Sequence, residues 1–235
     1  MPVTSPNDAT WALLGNLYED FPSGWLLIGG LMVYLHGAES GQTMRRVTTD
    51  ADILIRVKVI HDGTRQVATW LQERGLEFEG ASAMEIGHRF SGGGISVDVL
   101  VQGHLGVRAE RRTVGQNRAP EAPGGTALQA AGEVVPIITS TGGLVRVPRP
   151  TLPAAIIGKS KAAIRLSSPL RHVQDLAFLL GLLVDPLTVA DGLTASDVRI
   201  LARAVKQIEE AHCWEYAADA AAAEAAAQIL LAPRQ

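Results

Sequence analysis

The apolar positions of this chain change period several times. Between residues 7 and 20 they recur at helical spacing, with Trp11, Leu14, Leu17 and Tyr18 on one side, and Asn7 or Asp8 is placed to cap that helix. Trp25–Ile28 is instead a short continuous apolar run, which predicts a buried strand. It ends in Gly29-Gly30, and a helical patch follows over 31–36. After a polar turn at 37–46, the pattern predicts a strand over 50–57 and a helix over 59–74 that stops at Gly75. Short strands are predicted at 76–79 and 88–91, a turn at Gly92-Gly93-Gly94, and a strand over 95–101. Residues 103–132 are rich in Gly, Ala, Pro and Arg, lack periodicity and read as one long loop, including Gly124-Gly125-Thr126-Ala127-Leu128.

A hairpin follows, 133–139 with 144–147, around Ser140-Thr141-Gly142-Gly143. Pro148, Pro150 and Pro153 mark a boundary, beyond which helices are predicted over 152–167, 170–184, 195–212 and 214–231, the last of them Ala-rich. The order predicts an α/β (α+β) protein. Residues 1–150 would form a mixed sheet with flanking helices, and residues 151–235 a C-terminal helical bundle.

Composition narrows the class. With 47% hydrophobic residues in 235, the chain can build a substantial core. It has no run of eighteen uncharged apolar residues, and its first residues lack the basic and apolar regions of a signal peptide, so a cytoplasmic protein without membrane contact is expected. The single cysteine, Cys213, excludes an internal disulfide and a cysteine-built metal site. The six histidines show no ligand spacing. The net charge of −3 is uneven: residues 103–171 hold ten Lys/Arg against three Asp/Glu, while the flanking segments are acidic. That basic middle reads equally as a polyphosphate or nucleic-acid footprint and as a solvated surface, since it carries no aromatic residues for base stacking.

The chemistry lies in the first half. Asp50 and Asp52 stand one residue apart at the head of a strand, and residues i and i+2 share a face. Two carboxylates so close call for a cation. Asp98 lies inside the apolar run Ile95-Ser96-Val97-Asp98-Val99-Leu100, where an unpaired carboxylate would be costly unless a neighbouring metal or a place at the exposed strand end removes that cost. Three carboxylates on two adjacent strands can hold two Mg²⁺ ions, which bridge protein carboxylates to substrate phosphates. Gly-Gly at a strand-to-helix junction lets a phosphate approach open backbone N–H groups.

Gly29-Gly30, Asp50-x-Asp52 and a strand Asp98 resemble the nucleotidyltransferase superfamily of the DNA polymerase β type. The fuller run Arg46-x-Thr48-x-Asp50-x-Asp52, with Lys159 or Lys161, Arg165 and Asp175-Leu176 downstream, is similar to the AbiEii-type toxins of bacterial toxin–antitoxin systems, including the mycobacterial MenT group. The resemblance covers most of residues 25–185 and departs at His172, where many relatives carry an acid.

It implies that Asp50, Asp52 and Asp98 bind metal, and that Asp98 helps deprotonate the acceptor hydroxyl. Gly29, Gly30, Arg46 and Thr48 would hold the nucleotide, Lys159 would neutralise phosphate charge, and Asp175 would orient the basic groups or the nucleotide. Lys159 and Lys161 leave a helix about 200° apart, so only one can face a cleft, and the preceding Ala155-Ile156-Ile157 favours Lys159. The implied activity is Mg²⁺-dependent transfer of an NMP from an NTP, with a tRNA 3′ end as acceptor and a cognate antitoxin as partner. Two alternatives share these residues: a small-molecule nucleotidyltransferase of the antibiotic-modifying kind, and a non-catalytic nucleotide-binding module.

Overall fold

The structure, a computed structural model, describes residues 8–45, 48–57, 59–60, 62–82, 84–103 and 111–233. The chain divides into two compact units. The first comprises Met1–Met32 and Thr48–Pro150, and the second Val33–Val47 and Thr151–Gln235.

The first unit is built on a mixed sheet. Helix α1 (Asp8–Asp20) precedes β1 (Trp25–Ile28), and α2 (Gly29–Glu39) starts immediately after it. Then come β2 (Asp50–Ile55), α3 (Gly63–Glu73), β3 (Glu77–Phe78), β4 (Arg89–Gly92) and β5 (Ile95–Gln102). The strand order is β1-β2-β5-β4-β3, and only β2 and β5 run parallel along this path. Strands β4 and β5 meet through Gly93-Gly94, whose φ angles of 58° and 80° are both positive, as a two-residue hairpin turn requires.

Alternation divides the two central strands cleanly. Ala51, Ile53 and Ile55 of β2 and Val97, Val99 and Val101 of β5 are fully buried on one face, each Val or Ile contributing about 1.5–3 kcal/mol. The other face carries Asp50 and Asp52, then Leu54, beside Asp98 and then Leu100. Leu54 and Leu100 join Leu26, Ile28, Ala122 and Leu128 in a small core, so this face is apolar at one end and acidic at the other.

Two of those core residues come from the stretch expected to be structureless. It contains β6 (Glu121–Ala122), parallel to β5, and α4 (Gly125–Ala130). The Gly-Gly read as loop is the start of α4: Gly124 caps it at φ 77°. A Cβ on Gly125 would sit 2.8 Å from the Gln102 backbone, so glycine permits the helix to lie this close to β5. The hairpin β7 (Gly132–Ile138) and β8 (Leu144–Pro150) completes the unit, with β8 packed on α1 and β1.

The second unit is helical beyond Thr151: α5 (Leu152–Arg165), α6 (Leu170–Leu180), α7 (Pro186–Gly192), α8 (Ala195–Glu210), a 3₁₀ turn at Cys213–Tyr216 and α9 (Ala220–Leu231). Helix α5 packs on α6 and α8, and α9 on α6 and α7. Helix α7 was not expected; Asp185 caps it, accepting from the Thr188 N–H at 3.1 Å. The single helix expected over 214–231 is divided, because Asp219 turns extended and accepts from the Ala222 N–H to begin α9. Among the described residues no helix is long and apolar enough to cross a membrane.

Candidate functional site: a carboxylate face with an arginine counter-ion

Strand pairing places the three acids. In the parallel β2–β5 ladder Asp52 is opposite Asp98, and Asp50 is opposite Ser96. In the antiparallel β1–β2 ladder Asp52 is opposite Ile28, the residue before Gly29. Asp50, Asp52 and Asp98 therefore share one face, at its acidic end. Asp98 is buried, whereas the Asp50 side chain is 45% exposed.

Gly29 is shaped to Asp52. It has φ 71°, and a Cβ built on it would overlap the Asp52 carboxylate. Both the backbone conformation and the space demand glycine here. Gly30 is the buried second residue of α2. The first N–H groups of any helix lack an acceptor within it, which makes this end of α2 receptive to an anion. Gly29→Ala is expected to cost about 1–2 kcal/mol from its left-handed backbone alone, and also to displace the Asp52 carboxylate. Thermal unfolding and Mn²⁺ titration of the variant check both effects; unchanged values in both would refute the fit.

One residue of the face was not anticipated. Arg89 opens β4 opposite Asp98 and grips it with a two-pronged ion pair, Nε to Oδ1 at 2.8 Å and Nη2 to Oδ2 at 2.7 Å. The same Nη2 lies 3.5 Å from Asp50 Oδ2. The hydrogen bond to Asp98, helped by the charges of Asp98 and Asp50, holds the guanidinium above its ordinary pKa. His88 Nε2 is 4.0 Å from Asp98 Oδ1. Arg89 thus neutralises the buried acid that the sequence left unpaired.

The oxygen donors suit Mg²⁺ in kind, and Asp50 with Asp52 matches its habit of taking one or two carboxylates plus substrate phosphates. Asp98 is different, since both its oxygens are engaged by Arg89. Among the described residues no three acids, histidines or cysteines converge closely enough to ligate one ion. Thr48 precedes β2, and Thr49 donates to Asp50 Oδ1 at 3.3 Å. Arg46 lies outside the described residues.

Lys159, Lys161 and Asp175 lie in the second unit. Lys159 of α5 is buried and donates to Asp175 Oδ2 of α6 at 2.7 Å, with side chains 6% and 1% exposed. Lys161 points elsewhere and meets Asp197 Oδ1 at 3.4 Å. Within the basic middle, Arg111 pairs with Glu121 at 2.8 Å and the buried Arg149 with Glu133 at 3.3 Å. Arg108 lies outside the described residues. Cys213 is buried, and burial pushes its thiol away from the thiolate that reactivity needs. An open groove of about 410 Å³, bordered by Asp62, Gln66 and Trp70, contains none of these residues.

No family model matches the chain, and no curated protein matches it. Among solved structures it is similar to an antigenic nucleotidyltransferase-like protein from Paracoccidioides brasiliensis, at 12% identity and a TM-score of 0.53, over 93% of this chain and 92% of that one. The acid-bearing sheet with its helical C-terminal part therefore shares its fold with a nucleotidyltransferase-like protein.

Proposed function

We propose that the protein is a nucleotidyltransferase that moves an NMP from an NTP to an acceptor hydroxyl, with Mg²⁺ as cofactor. The observation that carries this reading is the join of β1, α2 and β2: Asp52, on the face it shares with Asp50, lies against the bare Cα of Gly29 at the start of α2. A helix N-terminus attracts phosphate, and carboxylates beside it supply the ligands for the ion that accompanies an NTP. Asp50 and Asp52 would hold Mg²⁺, which lowers the charge barrier at the transferring phosphorus. Asp98, oriented by Arg89, would accept the proton of the attacking hydroxyl. By the resemblance, Lys159 would neutralise phosphate charge and Asp175 would orient the basic groups or the nucleotide.

For the acceptor we carry two readings. The resemblance to AbiEii-type toxins supports a tRNA 3′ end, and with it a toxin role and a cognate antitoxin. The pairing of Arg111, Arg149, Lys159 and Lys161 with acids of the same chain leaves fewer cations for an RNA backbone and favours a small hydroxyl compound. Incubation with each labelled NTP, Mg²⁺ and total tRNA decides. Label in RNA of tRNA size, lost with a chelator, is the expected result. Turnover only with a supplied small acceptor moves the assignment to the second reading. If no NTP is consumed with either acceptor, the enzyme assignment fails.

A further inference from the structure

The fork of Arg89 on Asp98 has a consequence for ion binding. Both Asp98 oxygens accept from one guanidinium, and the same nitrogen lies 3.5 Å from Asp50. A guanidinium and a carboxylate match in planar geometry, so this pair is among the stronger charge-assisted contacts. A divalent ion reaching Asp98 would stand beside that fixed positive charge. Arg89 is, however, the first residue of β4, with its side chain 41% exposed. Its guanidinium can leave for solvent without breaking a strand ladder.

We propose that Arg89 is the resident counter-ion of Asp98 and Asp50 and competes with divalent cations for them, so that it sets the affinity of the carboxylate face for metal. The proposal rests on reading Asp50 and Asp52 as ion ligands, but needs neither the NTP nor the acceptor. Asp98 becomes a ligand only when Arg89 withdraws.

The test is Mn²⁺ binding to the full chain, followed by electron paramagnetic resonance without nucleotide. Arg89→Gln keeps a hydrogen-bonding amide at the position and removes the charge. It is expected to bind Mn²⁺ at least tenfold more tightly than wild type. Adding Asp98→Asn to Arg89→Gln should return the affinity to within threefold of wild type. Equal or weaker Mn²⁺ binding by a folded Arg89→Gln chain would overturn the proposal, as would a gain that persists in the double variant.

Should the Gln variant not fold, the wild-type chain decides. Its Arg89 Nε–H resonance, held by Asp98, should move towards the position of exposed arginines as Mg²⁺ is added. A resonance that stays fixed while Mg²⁺ binds overturns the proposal equally. Transfer activity is read separately: a chain that shows this binding pattern but consumes no NTP loses the transferase reading and keeps this one.

Discussion

Asp52→Asn is expected to fold as the wild-type chain does and to lose NMP transfer by roughly two to three powers of ten. Asn has nearly the same shape as Asp, so it fits against Gly29 without opening a cavity or forcing the α2 backbone to move. What it loses is the charge. An ion that clamps phosphoryl oxygens is worth several kcal/mol of transition-state stabilisation. About 3–4 kcal/mol of that corresponds to two to three decades in rate. Asp50→Asn should behave similarly, although its removal also takes an acid from the reach of Arg89. The checks are the rate of NMP transfer at saturating NTP and a thermal melt. Activity within threefold of wild type in both variants would remove Asp50 and Asp52 from the chemistry.

The elements that carry this prediction are also those most legible in the sequence. A buried four-residue strand, two glycines and an Asp-x-Asp at a strand head each rest on one strong local rule. The structure gives β1 as Trp25–Ile28 and opens β2 at Asp50. The C-terminal helices followed where their starts were marked by proline, as at α5. They failed where propensity hid a boundary. The Ala-rich tail favours helix so uniformly that the capping role of Asp219 was overlooked, and α7 is too short to display a period. Helix α4 was missed for a related reason. Gly124-Gly125 reads as part of the loop, yet one glycine caps the helix and the other allows its close approach to β5.

The pairing of Arg89 with Asp98 is legible by counting along the hairpin. Once Gly93-Gly94 is taken as a two-residue turn, Gly92 faces Ile95, and counting outward pairs Ser91 with Ser96, Phe90 with Val97 and Arg89 with Asp98. Antiparallel partners share a face. The cost of burying Asp98, which a metal or a place at the exposed strand end would remove, is met instead by a cation three counts away on the neighbouring strand. Lys159 shows the opposite limit. Helix geometry separates it from Lys161, but no local pattern pairs it with Asp175, sixteen residues on in another helix.

Lys159→Ala is accordingly expected to act twice. It leaves the Asp175 carboxylate, 1% exposed, without its cation. Breaking a buried pair by removing one partner costs about 3–5 kcal/mol, which for a chain of this size lowers the melting temperature by roughly 6 to 20 °C. Lys161→Ala removes a more exposed contact to Asp197 and should cost about 1 kcal/mol or less. Loss of NTP use by Lys159→Ala alone would therefore not distinguish chemistry from unfolding.

The paired variant does. Lys159→Met with Asp175→Ala replaces both charges by apolar side chains of similar combined volume, an exchange that is often neutral for a buried pair. It should melt near the wild-type temperature and yet use NTP about ten- to a hundredfold less well, the worth of a charge-assisted contact of roughly 1.5–3 kcal/mol. Melting curves and the NTP dependence of transfer, measured on the single and paired variants, separate the two roles. Wild-type NTP use by a stable paired variant would make Lys159 and Asp175 a structural pin between α5 and α6 and nothing more.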